Sequence, residues 1–62
     1  MNIGDLVRIR SGYRQSFDPE LTEYGIVTSV NRVGNVDILT SNHGQIYGVF
    51  LGNLERVDER KS

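Results

Sequence analysis

Two arginines alternate with two apolar residues in the stretch Val7-Arg8-Ile9-Arg10, and Arg14 follows a few residues later. In an extended strand successive side chains point to opposite faces, so Arg8 and Arg10 face outward together while Val7 and Ile9 face inward. Paired guanidinium groups on one face can hold a phosphate or a carboxylate through parallel hydrogen bonds. Arg32, in a later turn, extends the set. Arg8, Arg10, Arg14 and Arg32 are therefore the candidate residues for contact with nucleic acid. The competing reading is an ordinary solvated strand whose arginines pair with nearby Asp or Glu and discourage edge-to-edge association.

Other chemistry is sparse. His43 is the only histidine and lies beside Gly44 in a turn segment; with no cysteine in the chain it lacks the usual zinc partners. Asp18, Glu20 and Glu23 share one segment but not the spacing of a calcium loop. The seven glycines are scattered and form no phosphate-cradling loop. Catalysis needs a positioned nucleophile, an acid–base pair or a metal, so the expectation is a non-enzyme without cofactor, metal or small-molecule substrate.

The whole chain has 62 residues, enough for one small core. A domain of this size buries only about 60% of the surface it exposes when unfolded. The net charge of −1 and a pI near 5.6 exclude a globally basic nucleic-acid binder, although a local basic patch fits. No apolar run suits a signal peptide or a membrane span, and neither end carries a lipidation pattern. The expectation is a cytoplasmic protein, or one of the host cytoplasm if viral. Alanine is absent while Val, Ile and Thr are plentiful, which favours strands over helices.

Five strands are predicted. The first spans residues 5–10, and a long polar loop with the only proline covers 13–23, where Phe17 and Leu21 pin it to the core or support a function. The second covers 24–31; Val27 and Val30 are three apart, so a bulge near Thr28-Ser29 would turn both inward and bend the strand. The third covers 36–40, with Val36 and Ile38 on one face and Asp37 and Leu39 on the other. Ser41-Asn42-His43-Gly44 reads as a hairpin loop leading into a fourth strand at 45–50. Alternation places Tyr47 and Val49 in the core with Leu54, leaving Ile46 and Phe50 on the opposite face. A single 3₁₀ turn at 51–54 precedes a fifth strand ending at residue 58, with Leu54 and Val57 inward, and residues 59–62 form a fraying charged tail.

Three segments carry a family likeness: Ile3-Gly4-Asp5-Leu6-Val7-Arg8-Ile9, Gly25-Ile26-Val27-Thr28-Ser29-Val30 and Leu54-Glu55-Arg56-Val57. In this order they resemble the opening "GD-x-V", central "G-x-V-x-x-V" and closing "L-E-x-V" of SH3-like small β-barrels, including KOW-type and small phage-encoded versions. The barrel and approximate length are also similar to those of a small photosystem I protein family. The resemblance implies an all-β, five-stranded barrel over residues 1–58, with a long first loop and a 3₁₀ turn before the last strand. It also implies that the first loop lies near the strand after it, which would gather Tyr13, Phe17 and Tyr24 on one flank. Signalling SH3 domains bind proline-rich peptides in a tryptophan-containing groove; this chain has no tryptophan.

The leading expectation is thus a bacterial or viral accessory module that docks on a larger protein or self-associates. Its candidate protein-binding residues are Tyr13, Phe17, Tyr24, Ile46 and Phe50, on the reasoning that apolar side chains exposed together mark an interface. In the competing reading half of these rings fill the core. The alternative function is a KOW-type nucleic-acid module using the arginine row.

Overall fold

Alternation builds the first strand. β1 (Leu6–Ile9) buries Val7 and Ile9 completely and turns Arg8 to solvent, as a period of two requires. The computed structural model describes residues 1–57; the tail expected at 59–62, and residue 58 of the expected fifth strand, lie outside the described residues. β2 (Tyr24–Val30), β3 (Asn35–Thr40), β4 (Gly44–Phe50) and β5 (Leu54–Arg56) follow. A helix, α1 (Ser11–Phe17), comes after β1, and a 3₁₀ turn (Leu51–Asn53) precedes β5.

All strand pairs are antiparallel, in the order β4-β3-β2-β1-β5. Among the described residues no ladder joins β4 to β5, so the five strands form one open sheet and the expected closed barrel is not observed. The 3₁₀ turn spans one end of that sheet. Leu51 N donates to the Gly34 carbonyl at 3.1 Å, and Arg10 N donates to the Asn53 carbonyl at 2.9 Å. The turn after β2 and the end of β1 are thereby held on either side of it.

The core is aliphatic. Val7, Ile9, Leu21, Val27, Val36, Ile38, Ile46, Val49 and Leu54 are buried, drawn from all five strands and from the segment before β2. No aromatic ring is among them; Tyr13 and Met1 pack partly against the cluster. Thr40 is buried too, and its hydroxyl donates to the Gly44 carbonyl, within the β3–β4 turn. Gly44 has φ +71°, the left-handed conformation expected of it in that turn.

Two bulges face each other across Asp37. On β2 the register steps from Val27↔Ile38 to Ser29↔Asp37, leaving Thr28 as the extra residue. On β4 it steps from Ile38↔Ile46 to Val36↔Val49, so Tyr47 and Gly48 oppose Asp37 alone. Asp37 holds both. Its carbonyl accepts from the Thr28 hydroxyl, and its Oδ1 accepts from Gly48 N at 2.9 Å. Gln45 Nε2 completes the network by donating to Thr28 Oγ1 and to the Ile38 carbonyl.

The β2 bulge is where the sequence places it, but Val30 is not buried. It pairs with core residue Val36 and shares its side of the sheet, yet stays 47% exposed because the strand ends there. The β4 bulge overturns the expected phase. A residue inserted between Ile46 and Val49 brings both inward, so Tyr47 lies outside, 75% exposed, and Ile46 is 5% exposed.

The expected loop after β1 contains α1. Its backbone begins with Tyr13 N and Arg14 N both donating to the Arg10 carbonyl, and ends with Asp18 N donating to that of Arg14. Gly and Ser make its propensity low. Contacts hold it instead: Tyr13 and Phe17, four residues apart and so on one helical face, stack at 5.6 Å between centroids. Beyond it, Asp18 Oδ1 accepts from Glu20 N across Pro19, a side-chain-closed turn that stops the helix. Leu21, as expected, pins this segment into the core.

Candidate binding surface

Arg8 on β1 and Arg10 just beyond it, both exposed, arrive with partners. Arg8 Nε bonds Glu23 Oε2, and Arg8 Nη1 lies 3.6 Å from Glu55 Oε1. The hydrogen bond to Glu23, then the charge of that carboxylate, holds the Arg8 guanidinium above its ordinary pKa. Arg10 Nη1 lies 3.9 Å from Glu55 Oε2. Strand pairing explains the arrangement: Arg8 sits opposite Tyr24 on β2 and opposite Glu55 on β5, on the same outer face. Arg14 comes from α1, and its Nε donates to the Ile9 carbonyl at 3.3 Å. Arg8, Ile9, Arg10, Ser11, Arg14 and Glu55 line an open depression of about 210 Å³. Arg32 is exposed in the turn between β2 and β3 and does not line it.

Only part of the expected aromatic flank assembles. Phe17 stacks on Tyr13 and meets His43 edge-on at 5.0 Å, while His43 Nδ1 lies 3.4 Å from Asp18 Oδ2. These contacts fasten α1 and the segment after it to the β3–β4 turn. Partial burial raises the Tyr13 phenol above its ordinary pKa. Tyr24 does not join this ring cluster: it lies on the outer sheet face opposite Arg8. Phe50, at the end of β4, is 60% exposed. Its ring rests on Gly52, where an added Cβ would come within 2.9 Å of the ring, so only glycine leaves it this seat. The expected face combining Ile46 with Phe50 does not exist, because Ile46 belongs to the core.

Several surface apolar residues carry no signal in a strict alternation. Ile26 pairs with Leu39 on the outer face, both exposed, with Tyr24 two residues along from Ile26 and Tyr47 beyond on β4. Gly48 inside an apolar run is the available sign that Tyr47 changes sides.

Asn42 locks the segment before β2 to the hairpin tip. Its Oδ1 accepts from Thr22 N at 3.0 Å and its Nδ2 donates to the Glu20 carbonyl at 2.6 Å. Asn42→Ala removes both bonds, each worth about 1 kcal/mol. Amide exchange at Thr22 is expected to accelerate while the β3 amides keep their protection. Unchanged exchange at Thr22 would show that Leu21 alone holds the segment.

Comparison with protein-family models, with curated proteins and with solved structures gave no match.

Proposed function

We propose that this chain is a non-catalytic interaction module that docks on another protein chain or on a second copy of itself. The carrying observation is where the rings are. Phe17, Tyr24, Tyr47 and Phe50 are all exposed, Tyr13 is only partly buried, and the core holds none. An aromatic side chain can remove about 150–250 Å² from water. A domain this small gains most from such burial, so leaving four rings outside points to a surface that is covered in the working state. Interface cores are enriched in Tyr and Phe.

Apart from Ile3, Phe17 and Val30, the exposed apolar residues fall in two places. Tyr24, Ile26, Leu39 and Tyr47 occupy the outer sheet face; Val33, Phe50 and Leu51 lie at the end spanned by the 3₁₀ turn. The strand order, the long first connection and the 3₁₀ turn before β5 support placing the fold with the SH3-like barrels. The arginine row lends less support to nucleic-acid contact, since Arg8 is flanked by Glu23 and Glu55 and Glu55 also faces Arg10.

A photo-crosslinking amino acid at position 47, combined with sedimentation from micromolar to millimolar concentration, tests the reading. The expected result is a concentration-dependent increase in mass, or a discrete crosslinked adduct in cells, abolished by the double replacement Ile26→Ser and Leu39→Ser. A chain that stays monomeric at every concentration and yields no adduct would sink it.

A further inference from the structure

Of the arginines that line the depression, Arg14 and Arg10 are the least countered. Arg14 bonds a carbonyl through Nε, and among the described residues no carboxylate pairs with its guanidinium. Among the described residues Arg10 has only Glu55, at 3.9 Å, long for a hydrogen-bonded pair. Both line the depression at the end of β1, to which Arg8 and Glu55 also contribute. Glu55 is part of that lining: its two oxygens lie 3.6 Å from Arg8 Nη1 and 3.9 Å from Arg10 Nη1. With Glu23 counted on Arg8, three arginines against two glutamates leave one excess positive charge at the depression.

An apolar segment is tied to it through the 3₁₀ turn. The Arg10–Asn53 backbone bond ties the end of β1 to the 3₁₀ turn, and that turn carries Leu51 and seats the exposed ring of Phe50 on Gly52. The sequence Phe50-Leu51-Gly52-Asn53-Leu54 contains no charge.

We propose that this end of the molecule docks an acidic protein segment, its carboxylate entering between Arg10 and Arg14 and an apolar side chain lying on Phe50. The proposal rests on the interaction-module reading above and names the chemistry of one partner. Charge complementarity selects the occupant. A nucleic acid brings a continuous track of phosphates and needs a run of cations to match; here Glu55 sits inside the depression, Glu23 stands beside Arg8, and the whole chain carries −1. A single carboxylate meets the weakly paired guanidiniums of Arg10 and Arg14 with less of that repulsion.

The test is a ¹H–¹⁵N titration of the full chain with three probes: a blocked peptide alternating glutamate and leucine, its glutamine–leucine counterpart, and a single-stranded oligothymidine. The acidic peptide is expected to move the amides of Arg10, Arg14, Leu51 and Asn53, and the glutamine peptide is not. Arg14→Gln should weaken binding about tenfold, the loss of one charge-assisted bond, and Glu55→Gln should tighten it by removing the internal competitor. Opposite effects of two surface substitutions are not what a loss of folding produces. Equal binding of both peptides, shifts confined to other residues, or tighter binding of the oligothymidine would overturn the proposal. Crosslinking from position 47 reads a different face, so failure here with success there removes the acidic site and leaves the module.

Discussion

Ile38→Ala is expected to remove a large share of the chain's stability. Ile38 is fully buried on β3, the strand between β2 and β4, and pairs with Val27 on one side and Ile46 on the other. Truncating an isoleucine in such a place costs about 2–5 kcal/mol, from lost transfer energy and from the cavity left behind. A domain of this length has a total stability of about 3–9 kcal/mol. The loss is therefore comparable with the whole stability at the low end of that range and a large fraction of it elsewhere. Urea denaturation followed by circular dichroism checks this; with a slope near 1 kcal/mol per molar, the midpoint should fall by about 2 M or more. A midpoint shift below about 0.5 M would mean that the centre of the core is not where β3 puts it.

Gly48→Val is the second large effect, and its origin is different. Gly48 has φ +68°, and an added Cβ would meet nothing within 4 Å. The cost is thus conformational and not steric crowding. A β-branched residue held in the left-handed region costs about 1–2 kcal/mol, beyond which the bulge itself is at stake. If the strand relaxes by expelling the bulge, Ile46 and Val49 can no longer both face inward. Gly48→Asn separates the two contributions, because asparagine tolerates positive φ far better. The expected order of urea midpoints is wild type highest, then the asparagine variant, then the valine variant clearly lower. Equal midpoints for the two variants would show that the left-handed backbone is not what fixes β4.

Much of the sheet is legible in the sequence because local rules agree. Val7 and Ile9 alternate with arginines, Val36 and Ile38 alternate with Asp37 and Leu39, and Gly44 marks the hairpin; each signal concerns neighbours within a few residues. β4 departs from its expected phase for a physical reason. Alternation carries one bit of information per residue, and a single inserted residue inverts all that follows. Val27 and Val30 are three apart and signal a bulge; Ile46 and Val49 have the same spacing with a glycine between them, a signal of the same kind that plain alternation from Tyr47 to Val49 hides. The helix α1 is hidden because its composition argues against it; its support is a stacked Tyr13–Phe17 pair and a hydrogen bond from Arg14. Arg8 faces outward as alternation requires and Arg10 is exposed just past the strand, but their carboxylate partners come from β5 and from the residue before β2, distant in sequence. Pairing of that kind depends on strand order, which a pattern of neighbours does not contain.

The pairing of β1 with β5 has a consequence for the order in which the molecule can be assembled. Ile9 faces Leu54, and Val7 faces Arg56, across roughly 45 residues of chain. The meander from β2 to β4 is joined by short turns and closes quickly, whereas the β1–β5 contact must wait until the fifth strand has been made. On a ribosome, β1 emerges first and β5 last of the five. Until then Val7 and Ile9 have β2 on one side and an open edge on the other. This small protein therefore completes its core only after all five strands have been synthesised, and its earliest strand spends translation half-sealed.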